Sequence, residues 1–153
     1  MDKDQKSSRY ERIHEQLAGL LNKTDDPVAR MATVAALLYH KFDYFFWCGF
    51  YRLAQGDLTV GPYQGPLACQ VLARERGVCW AAVTRGQTVI VPDVRLFPGH
   101  IACDSRSLSE IVVPVRDGGG RIVAVLDVDS DKLGQFDEAD AEGLQGIVEL
   151  LRT

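Results

Sequence analysis

The sequence lacks any apolar run long enough to cross a bilayer. A spanning helix needs about 20 apolar residues, and stretches such as Ile122 to Leu126 fall far short of that. Basic residues are also in the minority: 17 Lys and Arg stand against 21 Asp and Glu, a net charge of −4. That balance excludes the clustered positive footprint by which a protein holds nucleic acid. The opening segment, MDKDQKSSRYER, is charged and has no apolar signal-peptide core. No linker, repeat or low-complexity tract interrupts the chain. Cysteine is scarce, and none of the four (Cys48, Cys69, Cys79 and Cys103) forms the C-x₂₋₄-C pair usual in structural zinc sites. No metal is therefore expected, although His100 and Cys103 with Cys69 and Cys79 could be read as a ligand set. The expected compartment is a reducing cytoplasm, where thiols are reactive, metal-bound or buried rather than structurally bridged.

What remains is 153 residues, 46% hydrophobic and 25% charged, enough for one domain with one core. A capping box of Ser8 and Glu11 predicts a first helix carrying Tyr10, Ile13, Leu17, Leu20 and Leu21 at helical spacing. Asp26-Pro27 predicts the start of a second, with Val28, Met31, Ala35 and Leu38 on one side and an end near His40. The run from Phe45 to Leu53 is aromatic and strand-like, and Gln55-Gly56-Asp57 turns it into a hairpin with Leu58–Tyr63. A short strand around Cys69–Ala73 and a short helix from Val78 to Arg85, stopped by Gly86, follow. Thr88–Val91 reads as a strand ended by Pro92. Ile111–Val115 and Ile122–Val128 form a second hairpin around Asp117-Gly118-Gly119-Gly120. A last helix is capped by Asp137 and carries Leu144, Ile147, Val148 and Leu151. The expectation is an α+β domain over residues 1–153. Helices occupy about 8–40 and 138–151, and a mainly antiparallel sheet with its pocket occupies about 44–130.

The chemistry concentrates in FPGHIACDSRSLSEIVVP, residues 97–114. It places Cys103 on a polar loop and Glu110 at the edge of an apolar strand. A thiol near a proton-donating carboxylate suits redox chemistry better than hydrolysis, which needs a histidine base for its cysteine. His100 could be such a base or a turn-stabilising residue. Asp127 and Asp129, two apart on a strand, point to one face, as do Trp47 and Tyr51, four apart. Periodicity alone makes Trp47 and Tyr51 core residues, and Cys48, inside an aromatic strand, a small buried hydrophobe. Cys79 is open between packing and redox roles.

The order of these elements resembles a GAF domain, and the motifs resemble the free methionine-(R)-sulfoxide reductases, which are single-domain GAF enzymes. The blocks that carry the resemblance are Trp47-Cys48-Gly49-Phe50-Tyr51, Gly61-Pro62-Tyr63-Gln64-Gly65, Ala68-Cys69, Arg76-Gly77-Val78-Cys79 and Val91-Pro92-Asp93-Val94. They continue through residues 97–105, residues 109–114, Leu126-Asp127-Val128-Asp129-Ser130 and Phe136-Asp137. The resemblance implies that Cys103 is the catalytic cysteine and Cys69 the usual resolving one, with Cys79 as a third, alternative redox partner. It implies that Glu110, Asp127 and Asp129 line the substrate pocket, with Glu110 also in the catalytic step, and that Trp47 and Tyr51 form its aromatic wall. The sequence departs from the family pattern at Cys48, at Trp80 and across Leu72-Ala73-Arg74-Glu75.

The implied reaction is reduction of free methionine-(R)-sulfoxide to methionine, recycled by thioredoxin, with no bound cofactor and a homodimeric assembly. Such chemistry needs help on both sides of the attacked bond. An ordinary cysteine titrates near about 8.5, so little is thiolate at neutral pH. The sulfoxide oxygen must be protonated before it leaves, and a carboxyl kept neutral by burial or a second carboxylate can supply the proton. Attack leaves a sulfenic acid that a neighbouring thiol converts to a disulfide. Two other readings stand beside this one. The chain could be a GAF binding or sensing module, or a redox switch that forms a Cys69–Cys103 disulfide without turnover.

Overall fold

The computed structural model describes residues 1–100 and 103–153. Helix α1 (Lys3–Leu20) and helix α2 (Pro27–Lys41) precede a hairpin of strands β1 (Trp47–Ala54) and β2 (Asp57–Gln64). Helix α3 (Gly77–Arg85) and the short strand β3 (Val89–Val91) follow. A second hairpin, β4 (Ser109–Arg116) and β5 (Ile122–Ser130), leads to helix α4 (Glu138–Glu149). The strands form one antiparallel sheet in the order β2-β1-β5-β4-β3. This is an α+β architecture, and both faces of the sheet are covered.

Alternation along the strands assigns each face. Cys48, Phe50, Ile111, Val113, Leu126 and Val128 pack with α1, α2 and α4 in a large apolar core. Trp47, Tyr51, Val112 and Val125 point the other way, toward α3, and share that face with Val89 and Val91 of β3. Strands buried on both sides read as continuous apolar runs, which is why residues 111–115 spell IVVPV.

Three of the four cap signals were accurate. Asp26 caps α2 ahead of Pro27, Gly86 ends α3 with a left-handed φ of 65°, and Asp137 and Asp140 form a reciprocal box on α4. The first helix is a correction. It starts at Lys3 with the capping box formed by Asp2 and Gln5, and Ser8 and Glu11 are exposed residues within it. An Asp N-cap competes successfully with a Ser–Glu pair when helix can extend upstream of that pair. Leu20 and Val28, placed on buried faces by spacing, are 45% and 60% exposed, because each sits at a helix end beyond its packing partner. The expected strand around Cys69–Ala73 is a loop. It meets β2 at one isolated bridge, Val71 to Thr59.

A polar cluster ties the two chain ends together. Lys6, 2% exposed, donates to Asp140 Oδ2 at 2.6 Å, while the Tyr10 and Tyr44 hydroxyls donate to Asp140 Oδ1 at 2.8 and 2.7 Å. The Asp137 amide completes the set at 2.9 Å. Gly143 lets α4 lie against α1, since a Cβ there would fall 2.2 Å from the Tyr10 ring.

Breaking one partner of a buried pair leaves an uncompensated charge, at a cost of about 3–5 kcal/mol. Asp140→Ala is therefore expected to destabilise the fold by that amount in urea unfolding. The double change Lys6→Met with Asp140→Leu is expected to recover much of it. Equal losses in both variants would disprove the account.

Candidate active site

The second sheet face is not apolar throughout. Glu110 on β4 lies directly opposite Asp129 on β5, and Asp127 is two residues back along β5, opposite Val112. All three carboxylates therefore emerge on the side that carries Trp47, Tyr51 and α3. Burial dominates their chemistry. Glu110 is held well above the usual carboxyl range, first by loss of water and then by the charges of Asp127 and Asp129. Asp127 and Asp129 are raised by burial too, and hydrogen bonding with Glu110 partly offsets the rise in each. At neutral pH such a cluster holds protons that isolated carboxyls would have released.

The aromatic wall stands beside the acids. Trp47 and Tyr51 stack with ring centres 5.7 Å apart, and Tyr63 from β2 stacks on Trp47 at 5.2 Å. Gly49, paired with Tyr63, makes that approach possible, because a Cβ would fall 2.2 Å from Tyr63 Cβ. Trp47 Nε1 donates to the Pro66 carbonyl at 3.1 Å, and the Tyr51 hydroxyl donates to the Cys69 carbonyl at 3.2 Å. The wall thereby fixes the loop that carries Cys69.

Cys69 meets Cys103 across the mouth of this face. The two form a disulfide with Cα atoms 5.6 Å apart, 34 residues apart in sequence. Cys103 is exposed, and Cys69 is partly covered. Next to it, Asp104 is clamped by Arg106 through Nε at 3.0 Å and Nη2 at 2.6 Å, which lowers its carboxyl to about 2. The Arg106 guanidinium lies 4.9 Å from the centre of the Phe46 ring. This pinning of the loop after Cys103 was not read from the sequence. The signal was the Asp104–Arg106 spacing, which suits an Asx turn.

Under the disulfide lies a cavity of about 70 Å³ lined by Trp47, Tyr51, Cys79, Cys103, Glu110 and Asp127 among others. Asp129, Arg76 and His100 also border it. The structure thus gathers every residue singled out for the site. Ile101 and Ala102, part of the motif around Cys103, lie outside the described residues. His100 is half-buried, and burial lowers its pKa, which favours a neutral imidazole. Its amide also donates to the Phe97 carbonyl in a turn.

Cys79, in the first turn of α3, is buried and free, as is Cys48 on the opposite sheet face. Burial first, then Asp127, Glu110 and Asp129, push the Cys79 thiol well above its usual value. Among the described residues, one trio of metal-ligating type converges: Cys79, Glu110 and Asp127. It differs from the His100–Cys103–Cys69–Cys79 set considered from sequence, two of whose sulfurs are joined to each other.

The GAF domain family matches residues 28–152. The free methionine-R-sulfoxide reductase of Escherichia coli is 39% identical, over 94% of this chain and 86% of its own. The chain belongs to this reductase family. GAF domain-containing protein A of Dictyostelium discoideum is 47% identical over 99% of this chain and 95% of that protein. Among solved structures, the free methionine-R-sulfoxide reductase of Neisseria meningitidis in complex with its substrate superposes with a TM-score of 0.91. It is 42% identical, covering 99% of this chain and 89% of that one.

The reductase fold carries its acids at a cost that depends on pH. Glu110 holds its proton above the range near about 4.3 where the unfolded chain loses it. Between those values the unfolded state binds fewer protons, so stability falls as pH rises, by at most about 1.4 kcal/mol per pH unit for one proton. Glu110→Gln mimics the protonated form and should flatten the fall between pH 5 and 7.5. Parallel melting-temperature profiles for wild type and variant would contradict this.

Proposed function

We propose that this chain reduces free L-methionine-(R)-S-oxide to L-methionine, using Cys103 as nucleophile and Cys69 as resolving thiol. The observation that carries the reading is the Cys69–Cys103 disulfide lying over a cavity walled by Trp47 and Tyr51 and floored by the buried Glu110 and Asp127 and the half-buried Asp129. The Cys103 thiolate attacks the sulfoxide sulfur. The oxygen takes one proton from a carboxyl of the Glu110 cluster and the one given up by the Cys103 thiol, and leaves as water; the next step returns a proton to the carboxyl. Hydrolysis of the resulting sulfur–sulfur adduct at the Cys103 sulfur releases methionine and leaves a sulfenic acid. The Cys69 thiol then displaces water from it, giving the disulfide. The balance is one sulfoxide and two thiols consumed, one thioether, one disulfide and one water formed.

An ionised member of the cluster, Asp129 or Asp127, would hold the ammonium of a free amino acid, a group that peptide-bound methionine lacks. The acids thus serve both proton delivery and selection. Because Cys103 is exposed, an external dithiol can reach the disulfide and return both thiols. We assign that role to thioredoxin, in the cytoplasm, with the chain working as a homodimer and without a resident cofactor. No helix among the described residues is long and apolar enough to cross a membrane. Cys79 is the reserve redox partner.

The test is NADPH consumption through thioredoxin reductase and thioredoxin, dependent on added free methionine-(R)-sulfoxide. Cys103→Ser should abolish methionine release in a single turnover, a loss of about 10³-fold or more for removal of a nucleophile. Cys69→Ser should keep the first release but slow steady turnover at least about tenfold. A binding module or a switch without turnover would consume no NADPH. Equal rates on the S epimer or on peptide-bound methionine sulfoxide would overturn the substrate assignment.

A further inference from the structure

The proposed cycle leaves two buried thiols without a required task, and of these Cys79 faces the cavity. Cys79 Sγ lies with one carboxylate oxygen each from Glu110 and Asp127 in a set whose atoms are all within 4.8 Å of one another. The three residues are 5%, 6% and 6% exposed. One atom of the set's residues is an orphan: Asp127 Oδ1 is buried without a hydrogen-bond partner. A buried oxygen in that condition costs free energy until a donor or a cation reaches it. Arg76 borders the cavity from an exposed position, and among the described residues none of the three acids has an ion-pair partner.

The donor chemistry narrows the class of ion. A sulfur donor with two oxygens suits zinc and its softer congeners, whereas magnesium and calcium take oxygen alone. Zinc bonds of about 2.0 Å to oxygen and 2.3 Å to sulfur put tetrahedral ligands roughly 3.3–3.5 Å apart. The trio must therefore contract by at most about 1.5 Å, which side-chain rotation on facing elements can supply. Three protein ligands and a fourth, open position toward the cavity are the pattern of an accessible zinc site.

We propose that Cys79, Glu110 and Asp127 bind a soft divalent cation, zinc or cadmium, and that the bound ion excludes the sulfoxide from the cavity. Only the exclusion rests on the reductase reading; the binding site does not. Loading exchanges the Cys79 sulfur–hydrogen bond for a sulfur–metal bond and releases the proton to solvent, with no electron transfer. The site uses neither Cys69 nor Cys103, so it persists when those two are joined.

That independence defines the experiment. Oxidised protein, with the Cys69–Cys103 disulfide intact, is titrated with zinc by calorimetry and with cobalt(II) by absorbance. One ion per chain and a sulfur-to-cobalt charge-transfer band in the near ultraviolet are expected. Cys79→Ser should remove the band, and it and Asp127→Asn should each weaken zinc by at least about tenfold. Absence of the band from the wild-type protein, a band that survives in Cys79→Ser, or binding that appears only after the disulfide is reduced would overturn the site. At saturating zinc, single-turnover methionine release by reduced protein should fall at least about tenfold; unaltered release would overturn the exclusion. If zinc-free protein releases no methionine, the reductase reading and the exclusion fall together, and the cobalt band still decides the cation site.

Discussion

Three carboxylates gathered on one sheet face, Glu110 and Asp127 buried and Asp129 half-buried, impose the constraint to which the rest of the molecule responds. Register forces their proximity: Glu110 and Asp129 are directly opposed across β4 and β5, and Asp127 is the next residue on that face. Like charges opposed across strands destabilise a sheet, and the loss of water adds to the cost. Raised pKa values are the molecule's answer, since a shared proton is cheaper than two buried charges. The other sheet face supplies what this one gives up. Phe42, Phe50, Leu126, Leu144 and Ile147 are fully buried there, each contributing about 1.5–3 kcal/mol. The site is thus a local loss carried by a conventional core across the same strands.

Strand β1 links that core to the cavity because its two faces do different work. Phe50 and Cys48 enter the large core, while Trp47 and Tyr51 face the acids. The two rings also act through their polar ends, tethering the loop at the Pro66 and Cys69 carbonyls. The position of the Cys69 sulfur is therefore set by a rigid strand, although the residue itself sits on a loop. A site supported in this way tolerates movement of the loop without losing the placement of its wall.

Most of the sheet and three of the four helix caps were legible because each rests on local chemistry. Asp26-Pro27, Gly86 and the Asp117–Gly120 turn act within a few residues of themselves. The Ser8–Glu11 box lost to a competing local cap, Asp2, and the other errors have a different cause. Whether Leu20 or Val28 is buried depends on what packs against the helix end, and that is not written in the helix. Lys6 and Asp140 are 134 residues apart, so no window along the chain pairs a surface-type lysine with a helix-capping aspartate. The segment Cys69–Ala73 has strand-like composition, but its pairing with β2 stops at a single bridge with two backbone hydrogen bonds, too short for a ladder. The grouping of Trp47, Tyr51, Glu110, Asp127 and Asp129 was readable, since strand alternation decides sides. The meeting of Cys69 with Cys103 depended on resemblance, because loop-to-loop distances have no periodicity to reveal them.

The disulfide lies across the mouth of a small cavity. A ligand pocket ordinarily offers about 300–1,000 Å³, and the space beneath Cys69–Cys103 is about 70 Å³. Joining two loops across 34 residues restricts the unfolded chain by roughly 3.8 kcal/mol in the chain-entropy model. The same link restricts local opening of the two loops in the folded state. Reduction removes the restriction where substrate has to enter, while β1, β4 and β5 stay fixed by the core. In the proposed cycle, oxidation would then do more than end one turnover. It would narrow the way to the acids for a second sulfoxide while leaving Cys103 at the surface for a dithiol. Access to the cavity and readiness of the nucleophile thus change together, through one bond between two loops.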